Sequence, residues 1–108
     1  YVGLSGGDEQ VFGVEEDGRI RAWQMVDGKA LWQSDMLRYR RLSGPLSIGR
    51  SVAVGDDRGM VHLLARNDGS VLNRLATDGT ALASAPVLVA NTMVVLTIKG
   101  GVFGFQPE

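Results

Sequence analysis

The chain has no cysteine, a single histidine and few aromatic residues, 6% in all. Without thiols it forms no disulfide, offers no thiolate nucleophile and cannot build a zinc site of the cysteine type. With His62 alone, neither a histidine-rich metal site nor a Ser–His–Asp arrangement finds its partners within the chain. An excess of one charge is also missing. Eleven Lys and Arg stand against 12 Asp and Glu, interspersed, for a net charge of −1. That balance gives no electrostatic basis for binding nucleic acid or an anionic membrane. Long apolar runs are absent as well, and Met93–Leu96 falls far short of a bilayer span. The glycine pairs Gly6-Gly7 and Gly100-Gly101 are not GxGxxG and open no helix, so a phosphate cradle has no support.

What the chain does contain is a repeat. A shift of 41 positions carries Val11 onto Val52, Gly18 onto Gly59, Asp27-Gly28 onto Asp68-Gly69 and Leu31 onto Leu72. A second shift carries Val54 onto Val95, Gly59 onto Gly100 and Val61 onto Val102, and the first also carries Ser43 and Pro45 onto Ser84 and Pro86. A gapless period of about 40 residues built from short strands is the sequence signature of β-propeller blades. The predicted fold class is therefore all-β: four-stranded antiparallel blades on a 41-residue repeat, forming part of a ring. The blades are expected at 1–41, with the first strand cut short, at 42–82, and at 83–108, with the outermost strand missing. Fewer than three full blades cannot close a ring, which needs roughly four to eight. The chain is accordingly expected to be a piece of a larger protein, its C-terminal piece if Glu108 is a natural end, the alternative being a short open array that self-associates.

Turn chemistry sets the strand boundaries. Asp17-Gly18, Asp27-Gly28, Asn67-Asp68-Gly69 and Lys99-Gly100-Gly101 are hairpin signals, because glycine tolerates the positive φ of tight turns. They predict strands near 11–15, 19–25 and from Ala30, then 44–48, 51–55, 61–65 and 71–75, then 85–89, 93–97 and 102–105. Val2 and Leu4 align with Ser43 and Pro45 and open the first blade, and Ser5-Gly6-Gly7-Asp8 reads as a turn by composition. Ile20 and Ala22 fall on one face of their strand, Arg21 and Trp23 on the other. Asp35–Arg41 and Ala76–Thr80 connect blades, the first too short for a stable helix. The strand beside Val102–Phe105 is expected to come from elsewhere in the parent. Left open, that edge would make the isolated piece self-associate.

Few residues point to chemistry. His62 stands mid-strand at the repeat position of Arg21 and Phe103, where packing or solvent contact is the expectation. Glu15-Glu16-Asp17 and Asp56-Asp57 fall in equivalent hairpins, where acidic side chains are solvated and favour turns. No calcium-loop spacing occurs. No catalytic residue, metal ligand or cofactor contact is assigned. The basic run Arg38, Tyr39, Arg40, Arg41 could grip a phosphate or an acidic partner loop, since arginine makes bidentate contacts and tyrosine stacks. The simpler alternative is an exposed linker whose Tyr39 and Leu42 pack down. Trp23 and Trp32 are expected to be structural anchors.

Asp17-Gly18, Ile20, Ala22-Trp23, Asp27-Gly28-Lys29 and Leu31-Trp32 together resemble the PQQ-type propeller repeat. The runs Ser34-Asp35-Met36-Leu37, Arg41–Pro45, Val54–Asp57, Gly59 and Val61 are similar to the C-terminal blades of the BamB family. These are propeller lipoproteins of the outer-membrane β-barrel assembly machinery. The resemblance implies a non-enzymatic scaffold with an eight-bladed ring and no cofactor. It also implies a place at the periplasmic face of the outer membrane, anchored by an N-terminal lipid outside this chain. The partners it implies are the barrel-forming subunit of that machinery and nascent outer-membrane proteins, with no nucleic acid and no small-molecule substrate. The enzymatic alternative is a PQQ-dependent dehydrogenase, whose propeller carries cofactor-stacking, calcium-ligating and general-base residues at the ring centre. No such set is found in these 108 residues. A sensor propeller fused to another domain is a third class.

Overall fold

In a computed structural model, residues 3–7, 9–37 and 40–106 are described, the first five through their backbone. Among the described residues, eleven strands and no helix make three antiparallel sheets. The first sheet holds β1 (Gly3–Gly7), β2 (Gln10–Val14), β3 (Ile20–Gln24) and β4 (Ala30–Ser34), in that order. The second repeats it with β5 (Ser43–Ile48), β6 (Ser51–Gly55), β7 (Met60–Ala65) and β8 (Val71–Ala76). The third contains β9 (Val87–Val89), β10 (Thr92–Leu96) and β11 (Val102–Phe105), with β10 in the middle.

The local devices recur with the sequence period. Asp27 Oδ1 accepts the Lys29 backbone N–H at 2.9 Å, and Asp68 Oδ1 accepts that of Ser70 at 2.9 Å. The glycine that follows each aspartate turns at positive φ, +69° for Gly28 and +77° for Gly69. The register slips between Ala22 and Trp23 in the first sheet and between Leu63 and Leu64 in the second, again one repeat apart. A bulge at the same place in both sheets bends the outer strand in the same way.

Sheets stack face to face, and the core lies between them. Phe12, Val14, Ile20 and Ala22 of the first sheet meet Val52, Val54 and Leu64 of the second, with Leu37 and Leu42 of the connecting segment closing one end. Ala53 and Val61 of the second sheet meet Met93 and Val95 of the third, with Ile48 and Leu82 joining and Leu63, Leu75, Phe103 and Phe105 at the margin. The second sheet is therefore buried on both faces, as a propeller blade must be. Trp32 reaches from β4 across to the second sheet, where its Nε1–H donates to the Arg66 carbonyl at 2.8 Å and its ring lies 6.1 Å from that of Phe12. It rests on Gly69, where an added Cβ would come within 2.5 Å of the ring.

Several local expectations are corrected. Ser5 to Gly7 belong to β1 rather than to a turn, because the β1 ladder pairs Gly7 with Gln10; Asp8 lies outside the described residues. β9 begins at Val87 rather than at residue 85, and Pro86, which has no N–H to give a ladder, precedes it. Trp32 is an anchor as expected, but it is half-buried rather than enclosed.

Candidate functional site

The hairpin between β6 and β7 places a carboxylate where water does not reach. Asp56 is 2% exposed, which corrects the expectation of a solvated turn acid. Its Oδ1 caps the turn by accepting the backbone N–H groups of Arg58 at 2.9 Å and Met60 at 3.0 Å. Its Oδ2 lies 2.8 Å from His62 Nε2 and accepts Arg40 Nη1 at 3.0 Å. His62, 1% exposed, is opposite Arg74 in the β7–β8 ladder, and Arg74 Nε donates to its Nδ1 at 3.2 Å. A guanidinium has donors only, so Nδ1 must be the acceptor and the imidazole proton sits on Nε2, directed at Asp56. His62 thus bridges a buried carboxylate and an arginine on the outer strand.

Burial alone would raise the Asp56 carboxyl. The hydrogen bonds from His62, Met60 and Arg58 outweigh it and hold the group below the ordinary aspartate value. The carboxylate is therefore charged, and Arg40 is its cationic partner across the segment joining the first two sheets.

Of the basic run, Arg38 and Tyr39 lie outside the described residues. Arg40 is tied to Asp56, with 47% of its side chain still exposed. Arg41 is exposed, and Leu42 packs into the first core as the linker reading required. The preceding turn, from Met36, is closed by a hydrogen bond from the Arg40 N–H to the Leu37 carbonyl at 3.2 Å.

The same two repeat positions are filled differently in each sheet. In the first, Glu15 stands for Asp56 and Arg21 for His62, and they pair at 3.0 Å. In the third, Thr97 takes the carboxylate position, donating to Asp78 Oδ2 at 2.6 Å and accepting the Gly101 N–H at 3.1 Å, while Phe103 replaces the base. An acid and a base six residues apart in two successive repeats is the signal from which the buried pair could have been read. Among the described residues, no three side chains able to ligate a metal come together.

The third sheet leaves surfaces uncovered. β11 has no strand on its far side among the described residues. A groove of about 760 Å³ runs between β8 and β11, lined by Leu72, Asn73, Leu75, Met93, Phe105 and Gln106. Val102 is 69% exposed, and Val87, Val89 and Ile98 are exposed as well.

Residues 16–108 match the family described as "Outer membrane protein assembly factor BamB". The protein of that name from Burkholderia pseudomallei (strain K96243) is 46% identical over 106 residues, 98% of this chain and 28% of that relative. The crystal structure of BamB from Moraxella catarrhalis superposes with a TM-score of 0.88 at 33% identity, covering 95% of this chain and 30% of the other. The chain thus spans under a third of the length of these relatives. A europium-containing methanol dehydrogenase is similar over 71% of this chain and 15% of its own, with a TM-score of 0.62 at 24% identity, a likeness of fold alone.

Proposed function

Because the chain belongs to the BamB family of outer-membrane protein assembly factors, we propose that it supplies blades to a propeller scaffold that supports folding and insertion of outer-membrane proteins. The observation that carries this reading is the BamB likeness, in sequence and in fold, over nearly the whole chain. The parent is a closed ring of eight blades, and residues 1–41, 42–82 and 83–108 are its units here. It works at the periplasmic face of the outer membrane, held by an N-terminal lipid outside these residues. It has no catalytic role and no cofactor.

Arg38, Tyr39, Arg40 and Arg41 contribute to partner contact on the rim. The barrel-forming subunit of the machinery and nascent outer-membrane proteins are the partners of the whole protein. The groove between β8 and β11 takes a fourth strand from elsewhere in the parent, and in isolation it draws in a second copy of the chain.

Depleting the full-length protein from its host tests the reading. Folded outer-membrane proteins should fall and recover on complementation, and unchanged levels would overturn it. Dye-linked alcohol oxidation by the purified full-length protein, after addition of PQQ and calcium, would favour the enzymatic alternative instead.

A further inference from the structure

We infer that the rim between the first two sheets carries a two-arginine clamp for a carboxylate-rich segment of a partner protein, formed by Arg40 and Arg74 and positioned by Asp56 and His62. The inference rests on the reading that the Arg38–Arg41 segment meets a partner, and it names what that partner presents.

Two guanidiniums converge on one buried carboxylate, Arg40 directly at 3.0 Å and Arg74 through the His62 ring at 3.2 Å. Asp56 offsets one positive charge and leaves the other uncompensated. Each arginine gives one N–H to the network, and the rest of its planar fork remains for a ligand. Their side chains stay accessible, Arg40 by nearly half and Arg74 as an exposed residue. Arg41, next to Arg40, has no carboxylate partner among the described residues. Asp35, on the same connecting segment, accepts Arg19 Nε at 2.9 Å. Asp57, exposed on the hairpin, is an acid that a ligand must avoid.

The cluster is not a by-product of the repeat. At the position of Arg74 the first sheet has Gln33, and at that of His62 the third has Phe103. Only the buried acid–base pair of the second sheet, among the described residues, has an arginine at each end, Arg40 from the connecting segment and Arg74 from β8. Guanidinium pairs held in place by buried groups favour paired carboxylates, because the fork geometry is set before binding. The near-zero net charge argues against an extended polyanion, which needs a broad positive field rather than one corner. An acidic peptide segment fits; Met36, 60% exposed on the same connecting segment, offers it an apolar neighbour.

The test uses the full-length protein and a hexaglutamate peptide at low salt, read by calorimetry. Salt-sensitive binding is expected, weakened about tenfold by Arg74→Gln and about tenfold by Arg40→Gln. Arg50→Gln, on the β5–β6 turn away from the cluster, should leave it unchanged. His62→Leu should cost as much as Arg74→Gln, whereas His62→Gln, which keeps a donor for Asp56 and an acceptor for Arg74, should retain binding. Should His62→Leu fail to fold, the two arginine substitutions on accessible side chains decide the matter. Absence of binding, or binding indifferent to both arginines, overturns the clamp. So does stronger capture of phosphatidylglycerol vesicles through the same arginines, which would reassign the site to lipid. Outer-membrane protein levels in cells report the assembly role separately, so either reading can fail while the other stands.

Discussion

The second and third sheets are built from the same repeat, yet they live in different surroundings. In β6, Val52 and Val54 face one neighbour and Ala53 the other, and all three are fully buried. In β10, Met93 and Val95 are buried against the second sheet, but Leu96 on the opposite face is 41% exposed. The strands are equally apolar. The difference lies in the neighbour, and it teaches that this sequence encodes a stack rather than a self-contained core.

The sharpest test of that contrast pairs Phe12→Ala with Val102→Ala. Phe12, enclosed between two sheets, should cost about 3–5 kcal/mol in urea unfolding. Val102→Ala should cost almost nothing in the 108-residue chain and about 1–2 kcal/mol in the full-length protein, where the proposed ring would set a further blade over it. Equal costs for Val102 in both would break the comparison.

Next in size is the polar closure of each hairpin. Asp56→Ala strands His62 and two backbone N–H groups and should cost about 3 kcal/mol. Thr97→Val, at the equivalent place in the third sheet, should cost about 1 kcal/mol by thermal unfolding.

The acid limb of stability sharpens the same point. The Asp56 carboxyl is lower in the folded state than in the unfolded chain, so its contribution is complete above the ordinary aspartate value of 3.8. It is lost as pH falls through the depressed folded value. The stability gap between the protein and Asp56→Asn should therefore narrow on acidification from about pH 5 to about pH 2. A constant gap would mean that the carboxylate is not charged in the fold. The smallest effect is that of Trp32→Phe, which removes the Nε1–H donated to Arg66 and part of the ring but keeps an aromatic side chain there, and it should cost about 1 kcal/mol.

The strands were largely legible because glycine-containing turns fix them: 51–55 and 102–105 were placed to the residue, and most others to within one. Paired faces were legible too, since Ile20 and Ala22 are buried while Arg21 and Trp23 are less so. The candidate site was half legible. Arg40 was singled out, but its tie to Asp56 spans sixteen residues and leaves no local pattern. A carboxylate in a hairpin reads as solvated unless the side chains that enclose it are known, and those come from a linker and two strands. Arg74 escaped notice for the same reason, because nothing near it in the sequence marks its register with His62.

The indole of Trp32 lying on Gly69 has a consequence for how such chains diverge. A large ring in one repeat demands a missing side chain in the next, so the two positions form a matched joint. Shuffling the repeats, or grafting one into another propeller, would set a tryptophan against an arbitrary turn residue and push the sheets apart. Succession along the ring is thereby written into pairs of residues that no single repeat contains.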